Sequence, residues 1–200
     1  MTAKTINLYQ FDELDDAGKE KAREWFREAS AEENNDFDFE YRKSDFVDIM
    51  SMFGFTVKDV YYSGFWSQGD GASFTGTWRY KKGWRKDFLS AYPKSKYLEY
   101  MDAIANEARK VFYDLSVRIS HSGHYQHSGC MDVDVQNNDY RNDTITNDIA
   151  IAITDNFRCI ADTLYGIIEQ DYDWRNADKQ VDESIIANEY DFTAEGERED

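Results

Sequence analysis

Residues 4–10, KTINLYQ, alternate apolar and polar and predict a short strand. FDELDDAGKEKAREWFREASA follows with Ala17, Ala22, Trp25, Phe26 and Ala29 on one stripe, a helix starting near Asp15 or Asp16. Acids come early and bases later along it, as the helix dipole favours, while Gly18 weakens the first turn. A polar stretch, ENND, then predicts a loop, and a second helix runs from about Asp38 to Phe53, with Gly54 at its C-terminal end. After Gly54 the period changes to alternation. TVKDVYYSGFWS and ASFTGTWRYKK read as two strands joined by Gln68-Gly69-Asp70-Gly71. Beyond Pro93 a helix is predicted over Lys96 to Tyr113, with Tyr97, Met101, Ile104, Ala108 and Phe112 on one side. LSVRISH and GCMDVDV form a second hairpin, and from about Asn142 a dense row of isoleucines, with Phe157 and Leu164, marks a long helix. A short helix over Ala177 to Tyr190 and an acidic tail from about 192 complete the chain. This order predicts one α+β domain over residues 1–200, with two antiparallel β-hairpins forming a sheet covered by several α-helices.

Pairing Ser67 with Ala72 across the first turn brings Phe65 opposite Phe74, Ser63 opposite Gly76 and Tyr61 opposite Trp78. One face then reads Tyr61, Phe65, Phe74, Trp78, Tyr80 and suits a core; the other, Tyr62, Trp66, Ser73, Thr75, Thr77, Arg79, can face water. The glycines of QGDG lead into a strand rather than a helix and lack the Lys-Ser/Thr of a phosphate loop, so that reading is rejected. In the second hairpin a tight turn over Gly123, His124 and Tyr125 pairs His121 with His127 and puts Val117, Ile119, Met131, Val133 and Val135 on one side.

Net charge changes the picture. The chain carries 23 basic and 40 acidic residues, −17 in all, with both ends acidic and a basic island, Arg79 to Lys86, between them. Affinity for nucleic acid comes largely from neutralised phosphates, so this balance opposes direct nucleic-acid binding and favours a partner with a basic surface. The island mixes cations and aromatics as single-strand binding surfaces do, but it is short, and pairing with the chain's own acidic helices or an acidic partner is the expectation. Aromatic content of 16% argues against disorder, no apolar run is long enough to span a bilayer, and two cysteines give no disulfide framework. A reducing cytoplasm is the expected setting.

Candidate chemistry gathers at the hairpin tips. Trp66, Gln68 and Asp70 crowd the first, and His121, Tyr125 and His127 the second, which makes a binding site between them the expectation if they meet. His121, His124, His127 and Cys130 are residue types that zinc favours, but every third residue of a strand points to alternating faces, so exposed turn histidines are expected and no metal or cofactor is assigned. His121 or His127 with Asp70 or Asp132 would be the pair for general-base chemistry. No nucleophile elbow is present, neither cysteine has an activating neighbour, and no catalytic residue is assigned.

INLYQFDELDDAGKEKAREWFRE, YYSGFWSQGDGASFTGTWRYKKGWRK, RISHSGHYQHSGCMDVDV and IIANEYDFTAEG together resemble a family of small bacteriophage and prophage proteins labelled "antitoxin of toxin–antitoxin stability system". That resemblance implies a phage accessory protein acting in the cytoplasm of an infected bacterial host, not a virion part. Joined to the charge, it suggests a noncatalytic inhibitor of a basic, nucleic-acid-handling host defence complex, of the anti-CRISPR or anti-restriction type, with DNA mimicry as one route. A small-ligand binder (nucleotide or metal) or enzyme with its site between the hairpin tips is the alternative, and an antitoxin neutralising a toxin is the third.

Overall fold

A computed structural model describes residues 7–138 and 145–198, for 32–38 the backbone alone; the starts of the predicted first strand and long helix lie outside these residues. The chain is α+β, and its contacts divide it into two compact units. Residues 39–169 form a central unit, and residues 1–38 with 170–200 a terminal unit.

The central unit is built on a four-stranded antiparallel sheet, β2 (Phe55–Ser63), β3 (Gly71–Arg79), β4 (Leu115–His121) and β5 (Met131–Asn137), in that spatial order. Helices α2 (Trp84–Ala91) and α3 (Leu98–Lys110) lie in the chain between β3 and β4. One face of the sheet packs on residues of α1 (Asp16–Phe53) and α4 (Asn147–Asn176). Buried positions along α4, Ile149, Ile153, Phe157, Ile160, Leu164 and Ile168, recur every three or four residues and make one stripe. Phe157 inserts among Phe55, Phe74 and Trp78 at centroid distances of 5.6, 6.4 and 6.3 Å, and Phe46 meets Phe74 at 5.1 Å. Such tilted and edge-on aromatic pairs add about 0.5–1.5 kcal/mol each beyond burial. The Trp78 indole donates to the Phe53 carbonyl at 3.0 Å, so the largest core side chain leaves no polar atom unpaired.

The first hairpin corrects the expected register. Tyr61 pairs with Ser73 rather than Trp78, and Phe55 takes Trp78, with a bulge between Val57 and Asp59. A displacement of five is odd, and an odd slip transfers side chains to the opposite face. Tyr61 therefore joins Ser73, Thr75 and Thr77 on the polar face, while Tyr62 packs on the core. In the second hairpin His121 pairs with Met131 rather than His127. That slip is even, so Val117, Ile119, Met131, Val133 and Val135 keep the common face expected of them.

The polar loop expected between two helices is helical, and α1 runs unbroken from Asp16 to Phe53. No glycine or proline occurs from Lys19 to Phe53, and asparagine and aspartate each cost at most about 0.7 kcal/mol in a helix. Gly54, at φ 91°, ends it in the left-handed conformation expected of a C-terminal glycine. The predicted helix over Lys96 to Tyr113 is shorter than expected: α3 stops at Lys110, and Phe112 is 89% exposed rather than on the apolar side.

The terminal unit draws on both ends of the chain. β1 (Tyr9–Gln10) pairs antiparallel with β6 (Asp191–Phe192), and α5 (Asp178–Ala187) precedes β6. Its core is Phe11, Leu14, Ala22, Val181, Ile185 and Phe192, with Trp25 edge-on to Phe192 at 5.7 Å. Phe192 is wholly buried, Thr193 nearly so, and the Thr193 amide donates to the Glu197 carbonyl at 2.8 Å, so residues 193–198 are docked rather than trailing as a tail. Arg23 grips Asp182 with both arms, 2.7 and 2.9 Å, and Arg27 pairs with Asp178 at 2.5 Å.

Candidate functional site

The two hairpin tips of the central unit meet. The Gln126 amide donates to the Gly69 carbonyl at 3.4 Å. A Cβ on Gly69 would strike the Tyr125 ring, and one on Gly71 would lie 2.5 Å from His127 backbone and side chain. Gly69 also has φ 94°, so both space and backbone angle call for glycine there. Side chains brace the second tip internally: His121 Nε2 bonds the Tyr125 carbonyl at 2.9 Å, Tyr125 stacks on His127 at 5.7 Å, and His127 Nδ1 accepts from the Gly129 amide at 3.0 Å.

Within the first tip, Asp70 closes the turn, its carboxylate accepting from the Ser67 amide at 2.7 Å. Trp66 is 76% exposed at φ 70°, beside Phe65, and Gln68 is exposed. Among the described residues no carboxylate lies within ion-pair distance of His121 or His127, so the general-base pair with Asp70 or Asp132 does not assemble. His127 Nε2 lies 4.0 Å from the buried Cys130 sulfur, while His124 is exposed. Among the described residues no group of three or more His, Cys, Asp or Glu side chains could hold a metal ion.

Beside the joined tips, the polar face of the sheet opens into a cleft of about 560 Å³, lined by Thr56, Lys58, Asp59, Tyr61, Thr75, Thr77, Arg118, Ser120 and His121. His121 is the one predicted site residue that lines it, with its ring 4.5 Å from that of Tyr61. Thr75 donates to Asp59 at 3.3 Å, and Arg118 stands exposed. Sequence reasoning missed Asp59, Tyr61 and Arg118 as lining residues, although the Ser116, Arg118, Ser120 alternation on β4 marks that face as polar.

A second cleft, about 360 Å³, lies at the basic island and is lined by Tyr80, Arg85, Lys86, Asn106, Arg109 and Tyr113 among others. Pairing of the island with the chain's own acids, as expected, is confined to Arg85, which meets Asp102 at 2.7 Å; its other four cations have no ion-pair partner among the described residues. Tyr80 and Tyr113 stack at 3.9 Å, and burial followed by the neighbouring Tyr113 hydroxyl pushes the Tyr80 hydroxyl up from its ordinary value.

Residues 39–178 match the model of a domain of unknown function, DUF8835, which spans well over half the chain. The chain belongs to that family. No curated protein and no solved structure matches it. The DUF8835 region takes in the whole central unit, with its joined hairpin tips and both clefts, and only residues 170–178 of the terminal unit. Among the described residues no helix is long and apolar enough to cross a membrane.

Proposed function

We propose that this DUF8835 protein is a noncatalytic phage accessory protein whose terminal unit binds a basic, nucleic-acid-handling host defence complex. The observation that carries the reading is where the charge lies. The terminal unit holds 22 acidic against 8 basic residues, a net −14, whereas the central unit holds 18 against 15, a net −3. Asp16, Glu20, Glu24 and Glu28 recur every fourth residue of α1, about 6 Å apart along the helix axis, and all but Glu20, which pairs with Arg23 and Arg27, have no ion-pair partner among the described residues. Such a row offers a basic groove a spaced line of negative charge, the feature a nucleic-acid mimic needs, and steers association at low salt. Capture of host proteins from lysate across a salt series tests it. Wild type should retain nucleic-acid-binding proteins at low salt, and Glu24→Lys, Glu28→Lys, Glu189→Lys, Glu195→Lys combined, all exposed and unpaired among the described residues, should lose them. Retention unchanged by the fourfold reversal would overturn the reading.

A second reading, a small-ligand site, draws support from the meeting of the tips and the 560 Å³ cleft beside them. Its groups are His121, Tyr61 and Arg118 rather than Asp70, which the turn itself uses. Thermal-shift screening with nucleotides and metals, on wild type and Arg118→Ala, discriminates: a shift lost in Arg118→Ala favours a ligand, and no shift from any compound rejects it.

A further inference from the structure

We infer that the basic cleft of the central unit binds single-stranded nucleic acid, stacking a base on Phe112 and Tyr113 and holding phosphates with Lys82, Lys86 and Arg109. Whole-chain acidity opposes such binding, but that charge resides in the terminal unit, and the central unit is nearly neutral. Lys86 and Arg109 line the cleft, Lys82 precedes its lining residue Gly83, and all three are exposed with no ion-pair partner among the described residues. Cations left unneutralised beside one another repel, which is tolerable where an anion is to be received.

The aromatic side chains decide which anion. After α3 the chain turns through Phe112 (φ 55°) and Tyr113 (φ 62°), two consecutive left-handed residues, with the Phe112 amide donating to Arg109 and the Tyr113 amide to Ala108. Aromatic residues rarely adopt that conformation, and its result is specific: Tyr113 is laid on Tyr80 at the cleft, and Phe112 is presented to solvent at 89% exposure. Arg109 stands three residues before Phe112 on the same turn. An open aromatic ring one turn after a free cation, Arg109, at the rim of a basic cleft is the pairing that single strands use, because unpaired bases stack while their phosphates are neutralised. An acidic peptide would satisfy the cations and leave the ring unused; a duplex keeps its bases stacked away from it.

Fluorescence anisotropy of labelled oligo-dT and oligo-U, each about 12 nucleotides, with the full-length chain tests the proposal without any host protein, so its outcome is separate from that of the acidic-unit reading. Saturable binding is expected with either or both oligonucleotides, at a Kd of about 1–100 µM in about 50 mM salt. Three phosphate contacts predict a loss of about 20-fold on going to about 200 mM. Phe112→Ala should weaken binding about 10-fold and Phe112→Trp preserve it, while Lys86→Glu with Arg109→Glu should weaken it still more. Phe112 contributes nothing to the core, and unchanged thermal melting of its variants checks that the fold persists. No saturable binding at low salt overturns the proposal. So does equal binding by duplex or polyglutamate that Phe112→Ala leaves intact, which would make the patch a general anion surface. A concentration-dependent dimer abolished by Arg109→Glu, without oligonucleotide binding, would assign the cleft to the acidic unit of a second copy and overturn it too.

Discussion

The core cluster of the terminal unit holds six buried apolar side chains among the described residues, in a unit of net charge −14, whereas that of the central unit holds twenty-seven, in a unit of −3. Hydrophobic burial scales with the number of side chains removed from water, while self-repulsion grows with net charge. The central unit therefore has the larger apolar core for the smaller net charge, and the terminal unit the smaller core for the larger. Its ion pairs, Arg23–Asp182, Arg27–Asp178 and Lys21–Glu197, spend three of its eight cations on joining its helices and its C-terminal segment.

The sharpest way to break this comparison is Phe192→Ala. Deleting a fully buried phenylalanine costs about 3–5 kcal/mol, a large part of the core that six residues supply. Hydrogen exchange should then open residues 9–31 and 178–198 while β2 to β5 keep their protection; equal loss in the sheet would show that the units unfold as one. Within the central unit, Gly69→Ala should cost about 2 kcal/mol, by forcing a Cβ into the Tyr125 ring at a left-handed position, and the Gln126 amide should exchange faster. Unchanged exchange at Gln126 would mean the tips are not clasped. Arg23→Ala removes a two-armed, partly buried pair and should lower terminal-unit stability by about 1 kcal/mol in a denaturant titration. Lys21→Ala should have the smallest effect. The Lys21 ammonium holds the Glu197 carboxyl below its ordinary range, so the contribution is present above the unfolded value of about 4.3 and fades as pH falls through the folded one. A difference between Lys21→Ala and wild type that grew on acidification would contradict that sign.

How far the sequence could be read depended on parity and on punctuation. Both hairpins were placed by their turn residues, and both registers slipped, yet only the odd slip at Tyr61 reversed a strand's faces. The seven residues from Gly64 to Asp70 make a wider tip than QGDG alone suggests, because Asp70 folds back on Ser67. The isoleucine stripe of α4 was legible throughout, since no other element has so dense a helical period. Polarity alone suggests a break in α1 where nothing in the backbone requires one. Of the predicted tip residues, His121, Tyr125 and His127 do come against the first tip or its cleft, while Asp70 serves the turn. Which helix end would expose Phe112 was beyond any periodicity argument, because the stripe through Met101, Ile104 and Ala108 continues to it in register and only the left-handed exit turns it out.

That the terminal unit is stitched from Tyr9–Gln10 and Asp191–Phe192 has a consequence for synthesis. A ribosome delivers its first half early and then makes all of residues 39–169 before the second half exists. At about 5–20 residues per second that interval is roughly 7–26 s. During it the apolar side of Phe11, Leu14 and Trp25 has no Phe192 to cover it, and the surrounding carboxylates are what keep the waiting segment from sticking to its neighbours. The acidity around Phe11, Leu14 and Trp25 thus serves the nascent chain, and Asp191–Phe192, made long after Tyr9–Gln10, is the clasp that closes the terminal unit.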